Sequence, residues 1–165
     1  LGMNKQEKEK RVYLKILQAA EDIGIDWITI HPKTVKDASA DPIDMDALQE
    51  CVENTSVPII GNGFVTDEAS AQRMLKTGVQ GIMIARAAVA DPFIFKRVHH
   101  LIQTGKKLPQ PTKEEYQAAL KKYLEIATKA KIQQYYTDYH TKMFNLKINN
   151  QWDHFHSPKT TEQWT

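Results

Sequence analysis

The chain has 165 residues, 41% of them hydrophobic and 25% charged, a formal net charge of +2 and a single cysteine. That is one domain's length, or a small domain with an appendage, and it carries enough apolar residues for a real core. No window approaches the roughly 18 apolar residues of a membrane span, and the opening "LGMNKQEKEKRV" has no apolar signal core, so neither membrane nor targeting signal is expected. Cys51 has no partner in the chain, which points to a reducing compartment, the cytoplasm or an organelle interior. In "DALQECVEN" it reads as a helix-face thiol rather than a nucleophile, because no basic sequence neighbour would lower its pKa.

In chain order, "KQEKEKRVYLKILQAAEDIG" sets Val12, Ile16, Leu17, Ala20 and Ile23 at helical spacing, with Gly24 suited to end the helix. "IDWITIH" (25–31) is β-branched and mostly apolar, which predicts a strand buried on both faces. Ile43, Ala47 or Leu48, Cys51 and Val52 predict a second helix, leading to the strand "VPIIG" (57–61). Thr66 is the expected cap of a third helix, with Asp67 and Glu68 at its positive end and Gly78 beyond it. "GIMIA" (81–85) predicts a strand and "DPFIFKRVHHLI" a helix with Pro92 in its first turn. Helices alternating with strands predict a parallel sheet with right-handed crossovers.

Charge then shifts. Residues 1–95 hold 10 Lys and Arg against 14 Asp and Glu, whereas residues 96–165 hold 12 against 6 and five of the six histidines. With the Gly, Lys-Lys and prolines of "RVHHLIQTGKKLPQPTKEE", this marks a boundary near 96–112. Beyond it, "PTKEEYQAALKKYLEIATKAK" opens with a Thr112–Glu115 capping box and lines Tyr116, Ala119, Leu120, Tyr123 and Ala127 along one face. Tyr135, Tyr136, Tyr139, Phe144 and Trp152 follow, interleaved with Lys142 and Lys147. Lysines among aromatics suit RNA, with phosphates on the ammonium groups and bases on the rings; the competing reading is a small bundle with a solvated basic face. His154 and His156 beside Trp152 lack a cysteine pair for metal binding and read as a mobile chain end.

Ligands of parallel sheets sit beyond the carboxyl ends of the strands, here His31, Gly61-Asn62-Gly63 and Ala85-Arg86. Gly61 and Gly63 allow a close main-chain approach to an anion, Asn62 offers an amide, and Arg86 a permanent forked cation. Together these favour a phosphate over the alternative of a tight turn and a solvated strand end.

"WITIHPKT", "VPIIGNGFVTDEASAQRML" and "GIMIARAAVADPFIF" resemble, in order and spacing, the last three barrel strands of the tRNA-dihydrouridine synthases. The resemblance implies an α/β fold: the C-terminal portion of a (β/α)8 TIM barrel over residues 1–100, with about three parallel strands. A small basic all-α tRNA-binding domain would follow over 101–165. It implies reduction of uridine to dihydrouridine in tRNA, with FMN as cofactor and NADPH as reductant. His31 would lie against the flavin. Asn62, Gly63 and Phe64 would contact its phosphate or ribityl region, and Ala85 and Arg86 would close the phosphate site. Lys33, Lys106, Lys107, Lys121, Lys122, Lys129, Lys131 and Lys142 would face RNA.

The chain also departs from the family pattern. Pro32, Lys33 and Val35 stand where the family prefers Gly, Arg and Arg, and Phe64 replaces an acid. The family's flavin-contacting lysine and its proton-donating cysteine belong to earlier strands, and Cys51 is not the equivalent of that cysteine. Three strands cannot close a barrel of eight, so the expectation is a C-terminal fragment, inactive alone, whose N-terminal half of the barrel is supplied by the same or another chain. A complete small α/β domain is the competing reading. For function, the alternatives are a non-catalytic RNA-binding remnant or ribonucleoprotein subunit, and another FMN-dependent barrel oxidoreductase of the dihydroorotate dehydrogenase kind.

Overall fold

The helical pattern near the start is interrupted at Arg11, whose left-handed backbone (φ 51°, ψ 41°) separates α1 (Lys5–Glu9) from α2 (Val12–Asp22). The computed structural model in which this is seen describes residues 2, 4–38 and 41–152. The break corrects the expected single helix and turns its buried stripe. Tyr13, Leu17 and Ala20 face inward, whereas Ile16 and Ile23 are 57% and 78% exposed. Arg11 itself reaches Glu50 at 2.9 Å, and the Tyr13 hydroxyl donates to the same carboxylate.

The chain divides into two units, Leu1–Ala85 and Arg86–Thr165. In the first, α2 is followed by β1 (Ile28–Ile30), α3 (Met45–Glu53), β2 (Ile59–Asn62), α4 (Glu68–Leu75) and β3 (Gly81–Met83). The strands form a parallel sheet in the order β1-β2-β3, with Ile30 paired to Gly61 and Asn62 to Met83. Each strand is shorter than its apolar run. The expectation of burial on both faces of the first strand fails: Thr29 is exposed and Trp27, just ahead of β1, is 62% exposed, because one face of β1 is open among the described residues.

Leu17, Leu48, Cys51, Ile59, Ala71 and Met74 make up much of this unit's core. Helix α3 starts where Asp44 accepts the Ala47 N–H at 2.9 Å. Helix α4 is capped by Asp67, not Thr66. The Asp67 carboxylate accepts the Ser70 N–H at 2.7 Å and the Ser70 hydroxyl accepts the Asp67 N–H at 3.0 Å, a reciprocal box that Thr66 lacks. Gly61 also has a role different from the one its sequence suggests: a β-carbon there would come within 2.6 Å of the Met74 sulfur, so the missing side chain is what lets α4 lie close on β2.

The second unit holds α5 (Arg86–Ala90), α6 (Ile94–Thr104), α7 (Lys113–Lys129) and α8 (Gln134–Ile148). Arg86 therefore opens a short helix rather than ending a strand, and Pro92 lies ahead of the α6 cap at Phe93 instead of within its first turn. The Thr112–Glu115 box is formed, with N–H to oxygen distances of 2.7 and 3.3 Å. Tyr116 and Ala127 are buried along α7, with Ala119, Leu120 and Tyr123 half-buried between them. Ala90 packs with Met143 and Trp152 in a small core. Among the described residues no helix is long and apolar enough to cross a membrane.

Candidate functional site

One residue beyond the Ile30–Gly61 pair, the register carries His31 level with Asn62, and Asn62 in turn pairs with Met83. The carboxyl ends of the three strands thus meet at one level. Gly63 has φ 122°, a conformation that side-chain-bearing residues rarely adopt. A β-carbon on it would lie 2.9 Å from the Ile43 Cγ2 and 3.1 Å from the His31 Cε1, so the imidazole edge rests directly on this glycine. Phe64 follows at φ 52°, making two successive positive-φ residues at the end of the central strand. For a phenylalanine that geometry costs on the order of 1 kcal/mol and must be held by its surroundings. Lys33 supplies part of the hold, with its ammonium 4.7 Å from the Phe64 ring centre.

Lys33 is buried, and its Nζ donates to the Ala38 carbonyl at 2.8 Å. It is therefore not one of the surface lysines that its expected contact with RNA would require. The loop around it is tied down on several sides. Its N–H donates to the His31 carbonyl at 2.7 Å, the Asp44 N–H donates to the Pro32 carbonyl at 2.9 Å, and the Thr34 N–H donates to Asp37 at 2.6 Å. That last bond, the first of several causes, holds the Asp37 carboxyl below its ordinary pKa. Ile43 was expected only on a helix face, yet it supports Gly63.

Cys51 is fully buried on α3, and burial pushes its thiol up to about 11. Neither geometry nor acidity suits it to donate or accept a proton at a substrate.

Ala85, the last residue of the sheet unit, and Arg86, the first of the helical unit, are exposed, two and three residues after Met83. Lys106, Lys107, Lys121, Lys122, Lys129, Lys131 and Lys142 are all exposed. They are distributed over α7, α8 and the segments that follow α6 and α7. Lys121 and Lys129, with Lys113, line a groove of about 870 Å³ floored by Leu120, Leu124 and Ile148. Lys122 does not line that groove, Lys106 and Lys107 follow α6, and Lys142 borders a smaller hollow on α8. Tyr135 and Tyr136 stand 74% and 51% exposed, edge to face at 5.4 Å. His154 and His156 lie outside the described residues.

Sequence reasoning missed a buried charged cluster. Asp91 and Arg97 are each 2% exposed, and the guanidinium reaches both carboxylate oxygens at 3.2 and 2.7 Å. Lys147 adds a second cation at 3.4 Å. Tyr116 is buried next to this pair without a well-formed hydrogen bond from its hydroxyl, and burial followed by the Asp91 charge raises its pKa. One signal was available: Arg97 occupies the apolar stripe Ile94, Arg97, Val98, Leu101 of α6.

The family model described as dihydrouridine synthase (Dus) matches residues 2–161. This chain belongs to the dihydrouridine synthase family. Its sheet and helices agree with part of that family's barrel followed by a helical portion. Relatives named tRNA-dihydrouridine synthase B include that of Proteus vulgaris, 34% identical over 117 residues, covering 70% of this chain and 36% of the relative. That of Serratia marcescens is 38% identical over 102 residues, covering 61% of this chain and 30% of the relative. That of Escherichia coli (strain K12) is 37% identical over 102 residues, covering 61% and 32%. The chain spans about a third of the length of the curated relatives it matches.

Proposed function

We propose that this chain forms the flavin-phosphate end and the RNA-gripping helices of a tRNA-dihydrouridine synthase, which reduces uridine in tRNA with FMN and NADPH. The carrying observation is the paired positive-φ turn Gly63-Phe64 at the end of the central parallel strand, with His31 packed on it. Strained backbone at a sheet's carboxyl end is costly to keep unless a ligand uses it. The same turn tests the fit of a phosphate-bearing group: bare main chain at Gly63 and a half-buried amide at Asn62 are suited to one.

In this reading residues 1–100 are the barrel part and 101–165 the tRNA-binding part. Bound FMN supplies the hydride chemistry. The chain's own residues supply position and charge. His31 bounds the flavin, Asn62, Gly63 and Phe64 hold its phosphate or ribityl region, and Ala85 and Arg86 close the phosphate site. Lys106, Lys107, Lys121, Lys122, Lys129, Lys131 and Lys142 meet tRNA phosphates. Lys33 acts from inside, keeping Phe64 in place.

A second reading, an RNA-binding protein without flavin chemistry, draws on one observation. Two of the four departures from the family pattern, Lys33 and Phe64, touch each other, so these two residues suit one another rather than the family's polar contacts. Visible flavin absorbance of the purified complete protein separates the two readings. In that protein Arg86→Ala should cost about 1.5–3 kcal/mol per charge-assisted hydrogen bond lost, and FMN should be stripped by desalting. Unchanged occupancy would overturn the phosphate assignment.

A further inference from the structure

Arg86 is exposed, so its aim is set by the backbone that carries it. That backbone is α5, five residues long, whose two buried side chains, Ala87 and Ala90, are both alanines. Ala90 meets Met143 and Trp152, with Val89, Tyr139 and Leu146 packed against them, but apolar burial of this kind is non-directional. Directional contact comes one residue after the helix. The Asp91 N–H donates back to the Ala87 carbonyl at 2.8 Å, continuing the helical bonding. Its carboxylate is gripped on both oxygens by Arg97 of α6 and approached by Lys147 of α8.

A charge pair this deeply buried is a poor source of stability, since apolar replacements of similar size are often neutral or better. What it supplies is a unique geometry. A two-pronged guanidinium fixes the carboxylate in plane, and the carboxylate lies one residue from the end of α5. We propose that Asp91 is a positioning residue for Arg86: its clamp by Arg97 and Lys147 sets the direction of α5 and thereby the affinity for the flavin phosphate. This rests on the assignment of Arg86 to that phosphate.

The test is a double-mutant cycle in the complete protein, reading the FMN dissociation constant by flavin fluorescence. Arg86→Ala should weaken FMN roughly tenfold or more, and Asp91→Asn alone about three- to tenfold. In the Arg86→Ala background Asp91→Asn should add no further loss, because no guanidinium is left to aim. Asp91→Glu, which keeps the charge, should recover part of the affinity. If Asp91→Asn does not fold, Lys147→Met replaces it in the cycle, since that change leaves the Asp91–Arg97 bonds intact. No effect of Arg86→Ala sinks the phosphate assignment itself. An effect of Arg86→Ala with equal losses from the partner change in both backgrounds sinks the positioning role alone.

Discussion

In the sheet unit the polar edge of the site is shaped by main chain. Gly63 and Phe64 take positive φ values, and Gly61 lets α4 close on β2 through Met74. In the helical unit the equivalent ordering falls to side-chain charge, with Asp91 and Arg97 buried just after α5, Lys147 half-buried beside them, and the other described lysines of the unit spread over the surface. The lesson lies in tolerance. A backbone-defined edge fails when any side chain is added to it, whereas a charge-defined joint fails when one partner is removed.

The largest expected effect comes from breaking the charge joint. Arg97→Ala leaves Asp91 buried with Lys147 at 3.4 Å in place of a two-pronged guanidinium, and should destabilise by about 3–5 kcal/mol in urea melts. Replacing both Asp91 and Arg97 with Leu and Met should cost much less. If the single and double changes cost the same, the helical unit is held by packing rather than charge.

Next is the backbone edge. Gly63→Ala must hold a side chain at φ 122° against Ile43 and His31, which should cost about 2–4 kcal/mol and release flavin. A variant as stable as the parent would remove the distinction drawn for the sheet unit.

Smaller still are the surface lysines, which the groove divides. Lys121→Glu should weaken tRNA binding about tenfold and flatten its salt dependence, because each lost phosphate contact lowers the slope by about 0.7–0.9. Lys122→Glu, outside the groove, should do less, and equal losses would mean that the groove does not organise the basic face. The smallest change is Thr112→Ala at the start of α7, about 1 kcal/mol by thermal melting; no loss would mean that the capping box adds nothing to a helix already anchored at Tyr116.

The alternation of helix and strand, the parallel sheet and the cap of α7 could be read from period and turn chemistry. The break at Arg11 could not, since arginine carries no local sign of a left-handed conformation and tertiary contact with Glu50 accompanies it. Asp67 over Thr66 was decided by Ser70 three residues on, a signal present in the sequence. For the site, the strand-end positions of His31, Asn62 and Gly63 were legible. The packing role of Gly61 and the inward turn of Lys33 were not, because both depend on neighbours distant along the chain or on one loop's fold. Helix α5 escaped notice because "RAAVA" is too short to show a period.

Cys51, the one thiol in these 165 residues, sits at 0% exposure under α3 with its pKa near 11. Thiol reagents attack the exposed thiolate, so in the native chain labelling must wait for α3 to lift from the sheet. The labelling rate is then a clock for opening of the sheet unit, built in without any added probe. A ligand that binds only the closed form slows that clock by the factor 1 + [L]/Kd, so titrating the proposed cofactor, FMN, against the rate of Cys51 modification would read its affinity without any flavin signal.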